Sequence, residues 1–152
     1  MWLFACALSS AQTIEDEAKP LSKEQLTELL GSDRPSRLQW KRLAGPDCTT
    51  YYGRNAERPW ELVGIYLGGF PPFVRDSSLP QIERRLGMYL VTWQRKEHRG
   101  LLHLEASVSL HSDYWKVYVW VEGKNQVELD QLSEEIFHFP MFNQMPQPVG
   151  AP

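Results

Sequence analysis

The stretch LLHLEASVSLHSDYWKVYVWVEG, residues 101 to 123, alternates apolar and polar side chains with scarcely an interruption. Successive side chains of a strand point to opposite faces. Leu102, Leu104, Ala106, Val108 and Leu110 therefore share one face, and His103, Glu105, Ser107, Ser109 and His111 share the other. In the second half Trp115, Val117, Val119 and Val121 fall together, opposite Lys116, Tyr118, Trp120 and Glu122. A hairpin closed at Ser112-Asp113 then pairs Leu110 with Trp115, Val108 with Val117, Ala106 with Val119 and Leu104 with Val121, all apolar. The other face pairs Ser109 with Lys116, Ser107 with Tyr118, Glu105 with Trp120 and His103 with Glu122. A slip of one residue would set valine against serine, so burial fixes the register.

The same logic works outward. GMYLVTWQRK, residues 87–96, reads as the preceding strand. A turn over Glu97–Gly100 places Val91 and Trp93 on the apolar side and Thr92, Gln94 and Lys96 on the polar side. The result is a three-stranded antiparallel meander over residues 87–122, apolar on one side. After it, Asn125 and Glu128 form a helix-start signature, and Leu129, Leu132, Ile136 and Phe139 share one helical face until Pro140. This C-terminal helix is the natural cover for the apolar side of the sheet.

Upstream, Ser22 and Gln25 form a capping box for a short helix over residues 23–30, with Leu26, Leu29 and Leu30 as its apolar stripe and Gly31 as its stop. Residues 38–43, 48–53 and 61–70 read as strands, the first two joined across AGPD. Gly64, Gly68 and Gly69 fit no phosphate-loop spacing and read as close-packing or bulge positions. SSLPQIERRLG, residues 77–87, reads as a turn or two of helix. The expected architecture is a single α+β domain over residues 35–142, built on an antiparallel sheet of five or six strands. Residues 12–34 supply a linker and the short N-terminal helix, and residues 143–152 a disordered tail. A chain of 152 residues with 42% hydrophobic and 23% charged residues suits one domain with a real core.

Residues 1–11, MWLFACALSSA, are apolar and end in small residues, which matches a short signal peptide cut after Ala11. An extracytoplasmic location follows, periplasmic or secreted, and no segment is long enough to span a bilayer. Without the leader, Cys48 would be the lone cysteine of the chain, a buried and inert thiol.

The face turned away from the core carries Thr92, His103, Glu105, Ser107, Tyr118, Trp120 and Glu122. Tyr118, Trp120 and Ser107 offer a binding surface for a protein partner or a second copy of the chain. His103, Glu105 and Glu122 fall close enough for acid–base chemistry. His103 and His111 lie about 26 Å apart at strand rise and cannot share a metal ion. No metal-site, nucleophile-elbow or nucleotide-loop motif occurs, so neither metal nor cofactor is expected. A net charge of −3 disfavours a nucleic-acid partner, and Arg84, Arg85, Arg95, Lys96 and Arg99 read as a solvated surface. The function expected is a non-enzymatic binding or assembly module of a bacterial-type envelope. The alternative is a small hydrolase-like enzyme using the His103, Glu105 and Glu122 cluster.

Overall fold

The computed structural model describes residues 15–32, 35–69, 73–110 and 116–144. The leader expected over residues 1–11, the turn at Ser112-Asp113, His111 and Trp115 lie outside them. The elements run in the order β1 (Lys19–Pro20), α1 (Lys23–Leu30), β2 (Leu38–Ala44), β3 (Cys48–Asn55), β4 (Leu62–Gly68), β5 (Gln81–Leu86), β6 (Tyr89–His98), β7 (Leu101–Ser109), β8 (Lys116–Gly123) and α2 (Gln126–Phe137). A short 3₁₀ turn, Pro140–Phe142, follows α2. Among the described residues all strands join one antiparallel sheet of eight strands, in the order β1-β2-β3-β4-β8-β7-β6-β5. Two consecutive meanders, β1 to β4 and β5 to β8, meet along the β4–β8 seam.

The β7–β8 register matches the alternation residue for residue, from His103 opposite Glu122 to Ser109 opposite Lys116. Val119 and Val121 are fully buried on the core side, with Leu129, Leu132 and Ile136 of α2 in the same cluster. Asn125 Oδ1 caps α2 by accepting from the Glu128 amide at 3.0 Å. In α1 the capping box is complete, Ser22 Oγ accepting from the Gln25 amide at 3.2 Å and Gln25 Oε1 from the Ser22 amide at 3.0 Å. Leu29 of α1, Phe139 and Phe142 join the same core, so both helices cover one side of the sheet.

Three expectations are corrected. The sheet has eight strands, not five or six. One of the extra strands is the two-residue β1, which pairs with β2 from within the segment read as linker. Another is β5, in the stretch read as helix. There Ile82, Arg84 and Leu86 are sheltered and Gln81, Glu83 and Arg85 exposed, a period of two and not of 3.6. Gly87, at φ 58°, opens a tight turn that sets Leu86 opposite Tyr89, instead of stopping a helix. Finally, the β6–β7 hairpin closes in two residues, Arg99 and Gly100, both with positive φ (52° and 77°), and not in four. That is the primed-turn geometry matched to strand twist. The meander residues keep their faces, but β6 slides along β7 so that Lys96 stands opposite His103.

Candidate functional site

The outer side of the sheet is a polar and aromatic surface crossed by two short segments of the chain. At one end Ala18 packs with Tyr52, Leu62, Leu43 and Trp120. Glu15 beside it holds the Arg54 guanidinium at 2.6 and 2.8 Å. Burial, with the charge of Glu15, pushes the Tyr52 hydroxyl up to about 12, so it remains protonated. At the other end residues 73–76 form a strap. Phe73 stands edge-on to Tyr118 at 5.4 Å, Gln94 Oε1 accepts from the Asp76 amide at 2.9 Å, and Gln94 Nε2 donates to Val74 O at 3.2 Å.

Between these segments lie the three residues that sequence reasoning singled out for acid–base work. His103 and Glu105 are neighbours on the outer face of β7, and Glu122 is directly across on β8. The imidazole Nε2 is 2.8 Å from Glu105 Oε2 and Nδ1 is 3.0 Å from Glu122 Oε1. Lys96 Nζ reaches the same Glu105 oxygen at 3.2 Å, and Gln94 Nε2 donates to the other. Glu105 is 2% exposed and His103 8%, so water contributes little. An ionised carboxylate only accepts hydrogen bonds, and a neutral imidazole has one donor. Two carboxylates on two ring nitrogens therefore call for the imidazolium. Burial alone would lower the His103 pKa, but the hydrogen bonds to Glu105 and Glu122 outweigh it and raise the pKa above the ordinary value. Burial likewise opposes the charge on Glu105 and Glu122, and the hydrogen bonds from His103 outweigh it and hold both below the usual carboxylate range.

The cluster is thus a closed ion network. Neither ring nitrogen is left to take a proton from a substrate, and among the described residues no serine or cysteine side chain bonds to the ring. His103 stands between the two carboxylates, so the three groups do not converge on one point. Among the described residues no His, Cys, Asp and Glu group fits a metal ion.

The three residues singled out for binding are placed differently from one another. Tyr118 is buried between Tyr66 (5.9 Å) and Phe73 (5.4 Å). Trp120 is half-buried, lying on Gly64 with its ring edge-on to Tyr52 at 6.2 Å. Ser107 alone is exposed. It lines a cleft that sequence reasoning missed. The β6–β7 ladder begins at His98–Leu101 and stops at Gln94–Glu105. Beyond that point both strands continue, β6 paired with β5 and β7 with β8, but no longer with each other. The sheet forks there, and a cavity of about 240 Å³ lies between Val91, Thr92 and Gln94 on one side and Ala106, Ser107, Val108 and Ser109 on the other. Leu90 at its rim is 68% exposed, and Val74 in the strap 82%.

Cys48, expected as a lone inert thiol, is disulfide-bonded and buried on this same outer face with Tyr66 and Tyr118. The other cysteine of the chain, Cys6, lies outside the described residues. No helix among the described residues is long and apolar enough to cross a membrane. Comparison with protein-family models, with curated proteins and with solved structures gave no match.

Proposed function

We propose that the chain is a non-enzymatic, extracytoplasmic binding module that docks a protein partner at the forked cleft between β6 and β7. The interruption of the β6–β7 ladder at Gln94–Glu105 carries this reading. An antiparallel pair gains a hydrogen bond for nearly every residue it keeps together, so an open stretch inside a sheet forgoes stability. The exposed Leu90 and Val74 beside the opening are two large apolar side chains left in water where a partner would cover them. The cavity, about 240 Å³, falls below the roughly 300–1,000 Å³ of pockets that engulf small ligands. That favours recognition of a polymer along the opening over capture of a small molecule within it. The disulfide at Cys48 supports an oxidising compartment. The hydrolase alternative loses support because His103 spends both ring nitrogens on carboxylates.

The test is selection of binders from a displayed library of random peptides, followed by titration against the wild type and Ser107→Trp. Ser107 is exposed, so the variant keeps the fold while its indole blocks the cleft. Peptides that bind the wild type and lose about tenfold or more in affinity for the variant uphold the reading. Enriched peptides indifferent to the variant, or none enriched, overturn it.

A further inference from the structure

The two ends of the sheet are unlike. At one end β1 is two residues long, and its Pro20 has no N–H to offer, so that edge is blunted. At the other end β5 runs for six residues, Gln81–Leu86, without a proline, and among the described residues it is the last strand. From this edge we infer that the chain pairs with a second copy of itself, β5 against β5, across a two-fold axis at Arg84. The direction of the backbone groups comes first. The Arg95 amide of β6 donates to Pro80 O at 3.0 Å. Successive residues of a strand turn their N–H and C=O to alternate edges, so Ile82, Arg84 and Leu86 also turn toward β6. Gln81, Glu83 and Arg85 therefore turn theirs to the open edge, where no described residue bonds to Glu83 or Arg85.

Charge then selects the register. An antiparallel pair of β5 strands must set outward-turned residues opposite one another. The choices are Glu83 against Glu83, Arg85 against Arg85, Glu83 against Gln81, or Glu83 against Arg85. The first two oppose like charges, which destabilises a cross-strand pair, and the third joins no opposite charges. The last sets Glu83 of each copy opposite Arg85 of the other, twice by symmetry, on the exposed outer face. Charges on an edge ordinarily guard it against pairing. Here their order makes the edge complementary to itself. On the core side the same register brings the two Arg84 side chains together at the axis. Each is already paired with Asp130 of its own α2, and that carboxylate, 48% exposed, is open to the guanidinium of the second copy as well. Both faces of the axis thus alternate in sign.

The experiment is sedimentation equilibrium of the full chain up to about 1 mM, the range in which a weak specific contact registers. Reductant is present, so that no bridge through Cys48 counts as association. Two charge reversals, Glu83→Arg and Arg85→Glu, change exposed side chains only, so the fold is kept. Each sets like charges against each other at the axis and should weaken self-association about tenfold or more. An equal mixture of the two variants opposes arginine to glutamate again, and should dimerise as the wild type does. Hydrogen exchange at the Glu83 and Arg85 amides should slow as the wild type associates. That set of results upholds the inference. A wild type that stays monomeric throughout overturns it. So does a dimer indifferent to either reversal, a mixture that fails to restore association, or exchange at those amides that does not slow.

Discussion

The indole of Trp120 lies flat against Gly64, its partner across the β4–β8 seam, so closely that a Cβ on Gly64 would stand 2.0 Å from Trp120 Cε2. Gly64 is therefore a packing residue: it lets the largest side chain of the outer face lie down on the sheet. Gly53 plays the same part under Trp40 on the opposite side, where a Cβ would stand 2.7 Å from the ring. Gly64→Ala should lower stability by about 1–3 kcal/mol, the usual cost of overpacking. Adding Trp120→Ala should remove most of that penalty, since the two residues share one contact. Urea unfolding of the two single variants and the double variant checks the coupling. Additive losses would mean that the ring does not depend on the glycine.

The imidazolium of His103 between two carboxylates makes stability depend on pH in both directions. Glu105 and Glu122 have lowered pKa values, so their contribution is complete above the ordinary 4.5 and is lost as pH falls through the lowered values. His103 has a raised pKa, so its contribution is complete below the ordinary 6.5 and is lost as pH rises through the raised value. The cluster stabilises most between these limits. His103→Gln leaves two carboxylates facing a neutral amide, and should cost about 3 kcal/mol in that window. It should also flatten the decline on the alkaline side. Urea unfolding across a pH series tests this. A variant with the same alkaline decline as the wild type would place the titrating group elsewhere.

The β7–β8 hairpin was legible because one contiguous stretch carries both strands, and every opposed pair agrees on which side is apolar. The His103, Glu105 and Glu122 cluster was legible for the same reason: a two-residue spacing plus a register puts all three on one face. Lys96 was not placed opposite His103, because the turn that does so puts Arg99 at positive φ, which no residue type there announces. QIERRLG suits a helix and its stop as readily as a strand and its turn, and only the pairing with β6 decides between them. β1 is two residues long and leaves no period to read. The fork is silent in the sequence, since alternation reports the faces of a strand and says nothing about where a ladder ends. The covering of Tyr118 by Phe73 joins residues far apart along the chain, so no local pattern could foretell it.

That covering turns Tyr118 from a docking anchor into an interior residue. Tyr118 is 6% exposed and sits in a cluster with Tyr66, Cys48 and Phe73. Tyr118→Ser should destabilise the domain by about 3 kcal/mol, within the range for truncating a buried aromatic. Phe73→Ser should cost less, because Phe73 is only partly buried, and should expose the Tyr118 ring. Thermal melts rank the two, and a Tyr118→Ser variant melting with the wild type would return Tyr118 to the surface.

Cys48 sets the N-terminal processing and the disulfide against each other. Its sulfur is bonded, and Cys6 is the other cysteine in the sequence. A cut after Ala11 would release Cys6 with the leader, leaving Cys48 either as a thiol or bonded to a second chain. The expected outcome is that Cys48 resists iodoacetamide until a reductant is added. Intact mass and a non-reducing gel then separate the cases. A monomer that still carries residues 1–11 and weighs two hydrogens less than its reduced form places the bond within the chain and rules out the cut. A chain beginning at Gln12 that runs as a reducible dimer keeps the cut and makes Cys48 a bridge between copies. A monomer beginning at Gln12 whose Cys48 alkylates without reductant would show that the bond is not present in the mature protein.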